Sequence, residues 1–189
     1  MVKIFARGEI NLIYLHIFLK DDFATPGRPN TYGLAPAKSN YIAPGKRPLS
    51  SMSPTMVFFS ENEDGKNFEG FRNHLGKLFL VVGASGGPRI ISATTQVILN
   101  HAMKGLSLAE SMTHARVHDQ LLYKGAPWTN CDEGQVDLPS DTREALLSRG
   151  HKLFPLTYMG AVQAVSVNIE NDSLVASSDI RKGGQPCGY

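Results

Sequence analysis

Lys77-Leu78-Phe79-Leu80-Val81-Val82 runs directly into Gly83-Ala84-Ser85-Gly86-Gly87, and the reading of this stretch decides the fold. Six residues without a breaker predict a strand. The glycines predict a tight turn, and the apolar spacing that follows predicts a helix over about 91–103. Glycine lets a backbone approach a ligand closely, and successive N–H groups at a helix start can meet an anion. The glycine spacing differs from a dinucleotide-binding fingerprint, and no Gly-Lys-Ser/Thr follows to make a phosphate loop. An oxyanion hole needs two fixed backbone donors and fits better. A purely structural turn would leave the same pattern.

Working outward, Pro48-Leu49-Ser50-Ser51-Met52-Ser53-Pro54-Thr55 places two adjacent hydroxyls between prolines, ahead of a predicted strand over 55–60. Proline fixes φ and pushes the preceding residue toward extended backbone. Ser50 and Ser51 are thus held where they can donate to a carboxylate, or fold back on their own backbone in an ST-type turn. Upstream, 21–48 carries Pro26, Pro29, Pro36, Pro44 and Pro48 and reads as an ordered surface loop. Asp21-Asp22 precedes it. A carboxylate there can bind a substrate ammonium group, or serve as a solvated loop residue or cap.

Downstream, Ser107-Leu108-Ala109-Glu110 has capping-box spacing and predicts a helix to about residue 115. Asp141 with Glu144 predicts a third helix, with Gly150 as its stop. Segments 162–169 and 174–178 are β-rich and predict a hairpin. Its turn holds the sequon Asn171-Asp172-Ser173, a glycosylation acceptor if the protein is secreted. Strand-helix units mixed with hairpins predict an α+β layered domain.

Composition narrows the function classes. The chain has 189 residues with 42% hydrophobic and 19% charged, as expected for one folded domain. The net charge of +2 has no basic block, so nucleic acid is not an expected partner. Cys131 and Cys187 are too few for a disulfide framework, though they could form one bridge. No Cys/His cluster has metal-ligand spacing, so neither a metal nor another cofactor is expected. Residues 10–19 are apolar apart from Asn11 and His16, but too short to span a bilayer, and they lack a small-residue cleavage site. A Ser/His/Asp triad of Ser50, His118 and Asp119 can be written on paper, but nothing in the sequence brings those groups together.

Taken together, these blocks resemble the C-terminal (light) subunit of the γ-glutamyltranspeptidase, or glutathione hydrolase, family. The resemblance rests on Asp21-Asp22-Phe23, on Pro44-Gly45-Lys46-Arg47-Pro48 continuing through Thr55, and on Val81-Val82-Gly83-Ala84-Ser85-Gly86-Gly87. It also rests on Ala115-Arg116-Val117-His118-Asp119-Gln120-Leu121 and on the tail from Ser178 to Tyr189. It implies one half of a four-layer αββα sandwich of the N-terminal nucleophile hydrolase type, shared with a heavy subunit. Residues 21–189 would form the light-subunit-like domain, and 1–20 an atypical segment.

In that family an N-terminal threonine attacks the γ-glutamyl amide of glutathione, and the acyl group passes to water or to an amino acid or peptide acceptor. Carried over by position, Ser50 and Ser51 would bind the glutamyl α-carboxylate, Asp22 the α-amino group, and Gly86 and Gly87 the oxyanion. Asn11 would correspond to an asparagine element, although Glu9 stands where threonine is expected. No Thr-Thr-His segment occurs in 1–20. The expectation is therefore a truncated light chain without its own nucleophile, inactive alone and paired with a heavy subunit. An orphan pairing partner and an acylase acting on a different amide are the alternatives. The family implies an extracellular, plasma-membrane-associated or vacuolar location.

Overall fold

The computed structural model describes residues 23–60, 75–121, 128–168 and 170–188. Four antiparallel strands form the main sheet in the order β1-β2-β6-β7: Thr55–Ser60, Leu75–Ser85, Ala161–Val167 and Leu174–Ser178. A smaller sheet has the order β3-β4-β5: Val117–Asp119, Thr129–Asp132 and Leu153–Leu156. In it β3 runs antiparallel to β4, and β5 runs parallel to β4. Among the described residues, three α-helices accompany them: α1 (Arg89–Ile98), α2 (Leu108–Thr113) and α3 (Ser140–Ser148).

Helix α1 forms because its buried residues recur at helical spacing. Ile90, Ala93, Thr94 and Val97 make one stripe that lies on the main sheet. The chain continues past Ile98 through a π-helical turn, Leu99–Met103, so the expected helix over 91–103 is one α-helix with a widened last turn. Ser107 caps α2 with both halves of the capping box, Ser107 Oγ accepting from Glu110 N and Glu110 Oε2 accepting from Ser107 N. In α3 the cap position falls on Pro139, not Asp141. Asp141 lies inside the first turn, where its carboxylate accepts from Thr142 N.

Leu80, Val82, Val162 and Ala164 of the sheet meet Ala93, Val97, Leu108 and Met112 of the helices in the core. At the β1-β2 ladder the register shifts between Val57 and Phe58. Bulges of this kind re-aim side chains. Phe79 packs against the helix-side core and stacks on His101, 5.0 Å between ring centres. The row Met56, Val81, Val165 and Ala176 crosses all four strands at one register level, next to the core-facing row of Val57 and Leu80. Because side chains alternate across a strand, that row lies on the face opposite the helices, and none of its residues is buried. One helical layer on one sheet gives the expected α+β architecture. Strands β3, β4 and β5 were not anticipated from the sequence.

Two arginines and two aspartates join the main sheet to the small one. Asp179, just past β7, accepts from Arg116 Nη1 at 2.5 Å, Arg181 Nη1 at 3.0 Å and the N–H of Val162 at 2.8 Å. Asp132, at the end of β4, accepts from the N–H of Arg116, from Arg181 Nε at 2.9 Å and from Arg181 Nη2. Both guanidinium groups also donate to Met112 O at the end of α2, at 2.9 and 3.0 Å. All four side chains are almost fully buried, and two positive charges balance two negative ones.

Burial alone would raise the Asp179 pKa. The Arg116 charge and the N–H donors of Val162 and Arg181 outweigh burial and hold it below the ordinary aspartate value. A depressed pKa in the folded state means that stability from Asp179 is complete above the unfolded-state value, about 3.9. It is lost as pH falls through the folded value. Melting temperature followed from pH 7 down to pH 2 is therefore expected to drop mainly below about pH 4. Asp179→Ala, which leaves two buried guanidinium groups short of a partner, is expected to cost about 3–5 kcal/mol at pH 7. A loss near zero in chemical denaturation would contradict that role.

Candidate active site

Strand β2 ends at Ser85 and α1 begins at Arg89, which leaves Gly86-Gly87-Pro88 to make the turn. Gly86 has φ 139° and Gly87 φ 60°, both in the region that favours glycine. Space imposes the same choice. A Cβ on Gly86 would sit 2.8 Å from the Cα of Gly160, and one on Gly87 2.3 Å from the Tyr32 ring. The two carbonyls accept from Arg89 N and Ile90 N and so start the helix. Among the described residues, none accepts from the N–H of Gly86 or Gly87. Ser85 O beside them accepts from the hydroxyl of Tyr158 at 3.3 Å.

Tyr32 belongs to the proline-rich loop, which is ordered as expected. Ala24 bridges Tyr41, Asn30 Oδ1 accepts from the N–H groups of Tyr32 and Leu34, and Asn40 Oδ1 accepts from Leu49 N. The loop therefore carries a ring onto the glycine turn. Composition pointed to an ordered surface loop but gave no sign that Tyr32 would be the residue it delivers.

Ser50 is exposed and Ser51 half-buried. Ser50 Oγ accepts from Met52 N at 3.2 Å, which is the ST-type turn, while no described residue bonds the Ser51 hydroxyl. The β1-β2 register pairs Thr55 with Val82 and Val57 with Leu80. Asp22 and Asn11 lie outside the described residues.

The paper triad does not assemble. His118 Nδ1 lies 2.8 Å from Ser92 Oγ on α1, and Nε2 lies 2.8 Å from Gln120 Oε1. Burial, helped by the nearby Arg89 charge, lowers the His118 pKa and favours a neutral ring. Asp119 instead accepts from Thr129 Oγ1 at 3.0 Å, beside His151. Cys131 is buried and Cys187 exposed, and both are free thiols. Burial pushes the Cys131 thiol up, away from a reactive thiolate.

Comparison with known proteins gives a consistent result. A model of the family "Gamma-glutamyltranspeptidase" matches residues 18–189. "Glutathione hydrolase 2" of Arabidopsis thaliana is 36% identical over 89% of this chain and 28% of its own length. The "Glutathione hydrolase proenzyme" of Escherichia coli strain K12 is 37% identical over 85% of this chain and 24% of its own. The chain thus spans roughly a quarter of the length of these curated relatives. A crystal structure of the Helicobacter pylori γ-glutamyltranspeptidase T380A mutant superimposes with a TM-score of 0.67 at 35% identity, covering 86% of this chain and 78% of that one.

The two glycines should respond differently to a methyl group. Gly86→Ala meets backbone that cannot swing aside and is expected to cost about 2–4 kcal/mol in denaturant unfolding. Gly87→Ala meets the tip of one side chain and should cost only about 1 kcal/mol. By displacing Tyr32 it should speed tryptic cleavage at Lys38 and Lys46 several-fold. Equal losses of stability and unchanged loop cleavage would contradict this account.

Proposed function

Because this chain belongs to the γ-glutamyltranspeptidase family and has its N-terminal nucleophile hydrolase fold, we propose that it supplies the glutamyl-binding wall and oxyanion donors of an enzyme cleaving γ-glutamyl amides such as glutathione. The observation that carries the proposal is the Gly86-Gly87 turn, with its constrained backbone and two N–H groups not used by any described residue. Register adds support. Continued four and five residues beyond the Thr55–Val82 pair, the ladder would bring Ser51 level with Gly86 and Ser50 level with Gly87. The ST-type turn at Ser50 keeps one hydroxyl pre-positioned and does not prevent it from donating outward.

In the proposed chemistry a hydroxyl nucleophile adds to the γ-carbonyl, and the oxygen charge that develops is met by the Gly86 and Gly87 N–H groups. The C–N bond then breaks, and the leaving amine takes up a proton. The glutamyl ester passes to water or to an amine acceptor. Ser50 and Ser51 hold the α-carboxylate. Asp22 holds the α-ammonium group, with Asn11 as a further contact. Opposite charges at the two ends of the amino acid call for donors on one side and an acid on the other.

The attacking hydroxyl is assigned to a residue other than these serines, following the family's N-terminal threonine. A heavy-subunit-type chain is the proposed partner, covering the row of Met56, Val81, Val165 and Ala176. Met56 is 51% exposed there, and apolar surface of this kind marks an interface.

Homogeneous chain alone is expected to release no nitroaniline from γ-glutamyl-p-nitroanilide, and robust turnover would overturn the assignment of the nucleophile elsewhere. In calorimetric titration, Ser51→Ala is expected to weaken binding of a γ-glutamyl ligand about tenfold, the loss of one hydrogen bond to a charged group. An unchanged affinity would remove Ser51 from the pocket.

A further inference from the structure

Arg89 opens α1 and is buried, with only 8% of the residue exposed. Its Nε is buried without a hydrogen-bond partner, and no described residue forms an ion pair with its guanidinium group. Arg116 and Arg181 show the contrast, since each meets buried carboxylates. The contact Arg89 does make is with the ring of Tyr32, 5.5 Å from Cζ to the ring centre. A cation–π contact recovers only a fraction of what a guanidinium loses on leaving water. Lying at the positive end of a ten-residue helix makes an uncompensated positive charge still less favourable. Among the described residues, the arrangement is therefore short of one anion.

Position indicates which anion. The Tyr32 ring that covers Arg89 also rests on Gly87, so guanidinium and glycine turn share one neighbour. The turn connects β2 to α1, which packs on β2 and β6, while β1 flanks β2 on the side away from β6. A substrate whose carbonyl lies at the turn has its glutamyl end toward Ser50 and Ser51. Its amide substituent then lies toward the start of α1.

We propose that Arg89 receives the carboxylate carried on the leaving-group side of a γ-glutamyl peptide, or the same carboxylate of a dipeptide acceptor. The proposal rests on the reading of Gly86, Gly87, Ser50 and Ser51 given above. It makes Arg89 a specificity residue that favours γ-glutamyl peptides over γ-glutamyl amides with a neutral leaving group.

Calorimetric titration of the full chain with S-methylglutathione, its C-terminal amide and L-glutamate tests this without requiring turnover. Wild-type chain is expected to bind the acid about tenfold more tightly than the amide, as for one charge-assisted contact. Arg89→Gln should abolish that difference, and Arg89→Lys should retain part of it. If Arg89→Gln does not fold, the wild-type pair and Arg89→Lys still decide the matter. Equal wild-type binding of acid and amide would overturn the proposal and leave the glutamyl pocket standing. Equal weakening of all three ligands in Arg89→Gln would also overturn it, placing Arg89 at the α-carboxylate instead. Failure of all three ligands to bind wild-type chain would overturn the glutamyl reading itself.

Discussion

The neutral quartet of Arg116, Asp132, Asp179 and Arg181 is the interaction on which the remainder of this structure depends. It draws together the end of α2, the end of β4, the first residues of β6 and the segment beyond β7. Each carboxylate accepts from both a guanidinium and a backbone N–H, so the desolvated charges are neutralised and their lone pairs occupied. Its influence reaches the candidate site through Gly160. Arg116 Nη1 donates to Gly160 O at 3.1 Å, and the backbone of Gly160 lies against Gly86 so closely that no Cβ fits between them. The buried charges thereby set the floor under the glycine turn.

The turn is constrained from two sides. Gly160 presses from below with backbone, which cannot rearrange without moving β6. Tyr32 presses from the loop side with a single ring, which can. The result is a pair of N–H groups fixed in direction on a rigid strand-helix junction and covered by a movable side chain. Fixed donors are what transition-state charge requires, because they need no reorganisation when that charge develops. Arg89 extends the arrangement by one further group, a guanidinium held in place before any anion arrives.

Local patterns in the sequence carried far. The capping box at Ser107, the apolar stripe of α1, the glycine turn and the β6-β7 hairpin are short-range features, settled by neighbours within a few residues. Strands β3, β4 and β5 were not legible, because three- and four-residue strands give too few alternations to read. The Asp141 and Glu144 spacing does not mark the start of α3, which begins at Ser140 after Pro139 with no side-chain cap. Arg116, Asp179 and Arg181 stood inside family-like blocks, yet Arg116 lies 63 positions from Asp179, and nothing local signals that they will meet.

By itself the sequence determined the α+β class, the glycine turn and the rigid hydroxyl pair, since proline, glycine and hydrophobic period act through local sterics. Only the tertiary structure decided that His118 faces Ser92, that Tyr32 lies on Gly87, and that Arg89 is buried with no acid paired to it among the described residues. Those facts depend on which elements pack against one another. The register and burial of the whole chain fix that packing, and no single segment of the chain encodes it.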